Sequence, residues 1–327
     1  MTLILVLGAP DPEMTLIETL AEQAGVRVVH ATHKGARVNS RTAYQVDGVE
    51  PSILETPEFE GIPEMGYHLL LVECDGEYLH TLHHYNAGPL SVTVADHHRP
   101  GDRGYGRPAA EFLPGSSVGQ VIALLGDRGI NPFPEEPRVA AARGAETGVW
   151  RSAPGVWQVV VRRDGGADHV RVPNHVLLAA AADHCLHAAY RGECPGVDPD
   201  GLMAWRIETR AAHQCRSASA VLADIEAARR ALRLASWCDA CGSGGRLSGS
   251  PDCPHCQGSP ALPHFSPSLP ELQEAAAREG LPFTALLGDK TVLQGADPDT
   301  IRWWMADQEA AGLTVYGDPV RGFAGTA

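Results

Sequence analysis

The chain has 327 residues, 44% apolar and 20% charged, a balance that excludes an intrinsically disordered polypeptide and leaves room for one large domain or two ordinary ones. Its 26 basic and 40 acidic residues give a net charge of −14, which argues against general wrapping of long DNA and for a small partner. No stretch approaches the roughly 18 consecutive apolar residues that a membrane span requires, so no membrane partner is expected.

Residues 3–7 (Leu-Ile-Leu-Val-Leu) read as a buried first strand. No basic region or small-residue cleavage site precedes them, so the expected location is the cytoplasm. Residues 13–24 have helical periodicity, and Gly25 supplies a stop. Strands are expected at 26–29, 68–74 and 91–95, and a helix at 119–125. This alternation predicts an α/β fold with a mostly parallel sheet flanked by helices. Two apolar runs, 156–161 and 169–172, flank Asp164-Gly165-Gly166 and read as a β-hairpin inserted at 149–172. Helices are expected at 175–190, 199–213 and 217–236. A Gly/Ser/Pro/Cys-rich segment covers 237–263, and a small α/β tail follows: helix 269–279, strands 283–287 and 291–294, helix 298–311, strand 313–316. The expected domains are thus 1–236, 237–263 and 264–327.

Three acidic motifs fall directly after strands. They are Pro10-Asp11-Pro12-Glu13, Glu73-Cys74-Asp75 and Asp96-His97-His98. In an open α/β sheet, strand ends of this kind line one ligand-binding crevice. Several carboxylates suit a hard divalent cation, and imidazoles shift the preference toward Mn²⁺ or another transition metal. A fourth acid, Asp183, closes the apolar stretch 177–182, where a carboxylate is costly unless paired or bound to a cation.

The order Pro10-Asp11-x-Glu13, Asp75, Asp96-His97-His98 and Asp183 resembles the DHH phosphoesterase superfamily over residues 1–235, about two thirds of the chain. The segment 112–119, with Ser116 and Ser117 before a helix, is also similar to the stretch that follows the family's DHH motif. The resemblance implies a site for one or two Mn²⁺ ions (or Mg²⁺ or Co²⁺) that hydrolyses phosphodiester or phosphoanhydride bonds. Asp11, Glu13, Asp75, His97 and Asp183 would be ligands, with Asp75 bridging. Asp96 would be a ligand or hold one in place, and His98 would meet the substrate phosphate. Asp75, Asp96, His97 and His98 would be the catalytic group. Two positions depart from the family pattern: Leu7 stands where a His is usual, and Glu13 where an Asp is usual. His30 and His33 on the second strand are candidate substitutes. In the tail, Arg321 between glycines is the candidate grip on a phosphate. His80, His83 and His84 share a helical spacing but have no matching acid.

Cys74, Cys185, Cys194 and Cys215 are scattered, whereas Cys238-x-x-Cys241 and Cys253-x-x-Cys256 form two tight pairs. Four thiolates in two such pairs close a tetrahedron around a structural Zn²⁺. The expected function is metal-dependent hydrolysis of a nucleotide or short oligonucleotide. The alternatives are a pyrophosphatase-like hydrolase of the same superfamily and an inactive DHH fold that binds nucleotides or proteins.

Overall fold

The computed structural model describes residues 2–50, 66–81, 90–140, 148–238, 243–244 and 262–326. The fold is mixed α/β. By contacts the chain divides into two compact units: 1–105, 111–184 and 195–197 form the first, and 106–110, 185–194 and 198–327 the second.

The first unit begins with β1 (Thr2–Leu7), α1 (Pro12–Gln23), β2 (Arg27–His33), β3 (Ala36–Arg37) and β4 (Gly48–Glu50). It continues with β5 (Tyr67–Val72), α2 (Glu77–Thr81) and β6 (Leu90–Ala95). These strands form one sheet in the order β3-β2-β1-β5-β6, with β4 pairing to β2. β2, β1, β5 and β6 are mutually parallel, whereas β3 and β4 run antiparallel to β2. β1 and β5 are central and buried on both faces, so their sequences are continuous apolar runs rather than alternating ones. Ile4, Val6, Val29, Leu69 and Leu71 belong to the core on one face.

α3 (Phe112–Gly115) and α4 (Ser117–Asp127) follow, then β7 (Arg138–Ala140), β8 (Val149–Ala153), β9 (Val156–Arg163) and β10 (Gly166–Arg171). The expected hairpin lies within a larger antiparallel sheet of order β7-β10-β9-β8. The sheets are therefore mixed: four strands of the first are mutually parallel, and this second sheet is wholly antiparallel. α5 (Asn174–Tyr190) is kinked at Cys185 (φ −155°, ψ 52°), where the chain passes from one unit to the other.

The second unit contains α6 (Pro199–His213), α7 (Ala218–Ala235), β11 (Trp237–Cys238), β12 (Ser243–Gly244) and β13 (His264–Phe265). It ends with α8 (Leu272–Glu279), β14 (Phe283–Leu287), β15 (Lys290–Gln294), α9 (Pro298–Ala310), β16 (Val315–Asp318) and β17 (Phe323–Thr326). A five-stranded sheet runs β13-β14-β15-β17-β16. The expected boundary at 236 falls inside this unit, because α6 and α7 pack on the tail. Val221, Ile225 and Leu232 of α7 share a core with Ala275, Phe283 and Val292. Buried Arg206 on α6 pairs with buried Glu274 on α8 at 2.9 Å, and Arg229 and Arg233 on α7 both reach Glu279. Strands β13 and β17 were not expected, since each is short and β17 carries a glycine. No helix among the described residues is long and apolar enough to cross a membrane.

Candidate metal centre

The parallel register sets the site. Leu7, Val72 and Ala95 end β1, β5 and β6 at the same level, as the pairs Leu7–Val72 and Val72–Ala95 show. The first residues past the strands are thus Gly8, Glu73 and Asp96, on one edge of the sheet. Gly8 is obligatory there: a Cβ at this position would stand 2.5 Å from the Glu73 carbonyl oxygen. Glu73 itself adopts the left-handed conformation (φ 50°), which turns the chain at the strand end.

Two groups of side chains place candidate ligand atoms within 4.8 Å of one another. One is Glu73, His97 and His98; the other is Glu13, Glu73 and Asp183. Fully buried His97 presents Nε2 at 3.1 Å from Asp183 Oδ2 and 3.6 Å from Glu73 Oε1. His98 tilts against His97 with ring centroids 4.4 Å apart, and His184 lies behind at 5.3 Å. Asp11 caps α1 through a hydrogen bond from the Met14 amide, 2.7 Å. It stands near enough to Asp183 and His98 to feel both charges.

The start of α4 closes the cluster. Ser116 caps the helix by accepting from the Gly119 amide at 3.1 Å. Ser117 Oγ donates to Glu73 Oε1 at 2.7 Å, and the Val118 amide donates to Glu13 Oε1 at 3.0 Å. A helix N-terminus favours such carboxylates. Glu13 Oε2, by contrast, is buried with no hydrogen-bond partner among the described residues.

Crowding carboxylates away from water raises their proton affinity. Burial, then the charge of Asp183, pushes Asp11 up to about 6 and Glu73 up to about 8. Glu13 is pushed well above the usual carboxylate range for the same two reasons in the same order. Asp96 goes the other way. Burial opposes its charge, but hydrogen bonds outweigh that and hold it below the usual range. Its Oδ1 accepts from His98 Nδ1 at 2.8 Å and from the His97 amide at 2.6 Å, while Tyr44 Oη donates to Oδ2 at 2.8 Å. An ionised acceptor at Nδ1 places the neutral ring's proton there and the lone pair on Nε2.

The sequence expectations divide accordingly. Asp11, Glu13, His97, His98 and Asp183 come together, with His98 among the candidate ligands and not only facing substrate. Asp96 stands behind His98 as its partner and is in neither ligand group. Asp75, expected to bridge, is a correction. Its Oδ1 accepts from the Gly76 amide at 2.8 Å and from His80 Nε2 at 2.7 Å. Its backbone is tied to Ala43 and Val46. The residue at the centre is Glu73, two positions earlier. Counting from the strand end, rather than matching an Asp, would have found it. Tyr44 carried no signal, since it reaches Asp96 from 52 residues away.

His30 pairs with Glu18 at 2.9 Å, and His33 bonds the Gln45 carbonyl at 2.6 Å, so neither joins the cluster. Arg321 belongs to the second unit, where its guanidinium lies over the Phe323 ring at 5.3 Å. Cys238 ends β11, whereas Cys241, Cys253 and Cys256, like His83 and His84, lie outside the described residues.

Comparison of the chain with protein-family models, with curated proteins and with solved structures finds no match.

The donor set fits a divalent cation. It combines hard carboxylate oxygens with imidazole, and it contains a buried carboxylate oxygen that the described protein groups leave unsatisfied.

Proposed function

We propose that the chain is a metal-dependent hydrolase that cleaves a phosphodiester or phosphoanhydride bond in a nucleotide or short oligonucleotide. Mn²⁺ is the favoured ion, with Mg²⁺ or Co²⁺ as substitutes. The observation that carries this reading is the convergence of Glu13, Glu73, His97, His98 and Asp183 where parallel strands end, around an oxygen of Glu13 that the described residues leave unsatisfied. The ordered motifs that resemble DHH phosphoesterases supply the reaction class.

Glu13, Glu73 and Asp183 would hold an ion by oxygen alone, and Glu73, His97 and His98 would hold one by mixed donors. Glu73 belongs to both sets and is the candidate shared ligand. Bound cations supply Lewis acidity toward a phosphoryl oxygen and lower the pKa of water. The chain does the rest. Asp96 and Tyr44 lock the His98 ring, and Ser117 orients Glu73. The acidic net charge favours a small substrate over a long polyanion. The two CxxC pairs, Cys238-Cys241 and Cys253-Cys256, would hold a structural Zn²⁺ separate from this chemistry. A cytoplasmic location agrees with thiolate ligation in a reducing compartment.

The test is a hydrolysis screen with added Mn²⁺ over pyrophosphate, cyclic dinucleotides, short RNA and short DNA, with Glu73→Gln as control. Turnover of a nucleotide substrate that Glu73→Gln abolishes is the expected result. Turnover of pyrophosphate alone would favour the pyrophosphatase-like alternative. Tight Mn²⁺ binding without turnover of any substrate would indicate a binding module.

A further inference from the structure

Two thiols in the second unit are not used by the metal centre. Cys185 and Cys194 are both buried, and their sulfurs are 3.1 Å apart. That is well inside the roughly 3.6 Å at which two sulfurs merely touch, and short motion separates it from the about 2.05 Å of a disulfide bond. The geometry is built by the local chain. Cys185 leaves helical conformation inside α5, which turns its side chain out of the helical progression. α5 then ends at Tyr190, and a tight turn brings residue 194 back. The Gly192 amide donates to the Ala189 carbonyl and the Glu193 amide to the Ala188 carbonyl, both at 3.0 Å. Gly192 takes φ 74°, open to glycine without strain.

Cys74 and Cys215 lack this arrangement. Cys74 is buried in the first unit and its thiol donates to the Val6 carbonyl at 3.4 Å. Cys215 is exposed. The sulfurs are buried, but the turn that joins them is at the surface: Arg191, Gly192 and Glu193 are all exposed.

We propose that Cys185 and Cys194 are a redox modification site that closes to an intrachain disulfide on exposure to a hydroperoxide. The step balances simply. The two thiols lose two protons and two electrons, and one S–S bond forms. The peroxide O–O bond breaks, and with hydrogen peroxide two waters leave. A thiol reductant reverses it. The modification pins the chain two residues beyond Asp183, at the kink of α5, so it acts on the segment that leads out of the metal centre. The proposal does not depend on the hydrolase reading.

The test uses the full chain under native conditions. Protein treated with hydrogen peroxide is alkylated, digested with trypsin without reduction and mapped by mass spectrometry. Trypsin cuts after Arg191, which lies between the two cysteines, so peptides 172–191 and 192–206 are released separately from the reduced protein. The expected product is the linked pair of these peptides, lighter by two hydrogen atoms than their sum. It should disappear on reduction and be absent in Cys185→Ala and in Cys194→Ala, each checked for native circular dichroism. Separate peptides after oxidation would overturn the proposal. So would oxygen addition at a single cysteine, or linkage of either one to Cys215 or the CxxC cysteines. Should one alanine variant misfold, the wild-type map alone still decides.

Discussion

Glu73 and Asp75 are two positions apart and have different work. Glu73 sits in both ligand groups, while Asp75 is held by Gly76 and His80. Glu73→Gln should therefore weaken Mn²⁺ binding by more than the roughly 10–100-fold typical of losing a residue that only supports a ligand. Asp75→Ala should leave the affinity within a few-fold of wild type. Calorimetric titration of Mn²⁺ separates the two, and equal losses would show that Asp75 is a ligand after all. A second residue reports on pH. His187 is buried, neither ring nitrogen has a hydrogen-bond partner among the described residues, and burial lowers its pKa to about 4. The unfolded chain, with the ordinary 6.5, binds the proton more readily. Stability supplied by the neutral ring is thus complete above about pH 6.5 and is lost as pH falls toward 4, by up to about 3 kcal/mol. His187→Leu should flatten the urea midpoint between pH 6.5 and 4. A slope identical to wild type would assign the acid sensitivity elsewhere.

At the scale of elements, the metal centre depends on β1, β5 and β6 ending in register. Gly8→Val places a Cβ against the Glu73 and Val72 carbonyls at 2.5 and 2.9 Å, and backbone atoms must move. The expected cost is about 1–3 kcal/mol of stability together with a loss of Mn²⁺ affinity, because Glu73 is displaced. Gly25→Ala is the control. Gly25 has φ 71° and open space around it, so alanine there should cost about 1 kcal/mol and leave the metal untouched. Thermal melts with and without Mn²⁺ check both. The two CxxC pairs make a separate element. Cys253→Ser should remove one Zn²⁺ per chain by elemental analysis and leave bound Mn²⁺ unchanged. Unchanged zinc would refute the four-thiolate site.

Over the whole molecule, the acidic cluster sets the pH response of the metal-free protein. A carboxyl with a folded pKa above its unfolded value holds more protons when folded. Its contribution is present at low pH and is lost as pH rises through the folded value. For Asp11 and Glu73, at about 6 and 8, the window runs from the ordinary carboxylate range near 4 up to about 8. The metal-free protein should lose stability across that window, and Mn²⁺ should restore it increasingly as pH rises. At a hundredfold excess over Kd the cation adds about 2.7 kcal/mol. A Mn²⁺-induced rise in Tm that shrinks with pH would contradict the cluster's role.

Much of this was legible in the residues themselves. Continuous apolar runs at 3–7 and 69–72 mark strands buried on both faces, and Asp11, Ser116 and Asp297 mark helix starts as capping side chains. Acidic residues directly after those strands point to one sheet edge, because parallel strands end together. These features are local, and short-range sterics and hydrogen bonding decide them. Other features are not local. The choice of Glu73 over Asp75 follows from a left-handed residue at the strand end and from Ser117, 44 positions away. The support of His98 by Tyr44 through Asp96 joins a loop to a strand end. α6 and α7 belong with the tail because their arginines find Glu271, Glu274 and Glu279 on α8 or at its start. Such pairings depend on which surfaces the folded chain brings together, and no spacing along the sequence encodes them; only the tertiary structure could decide them.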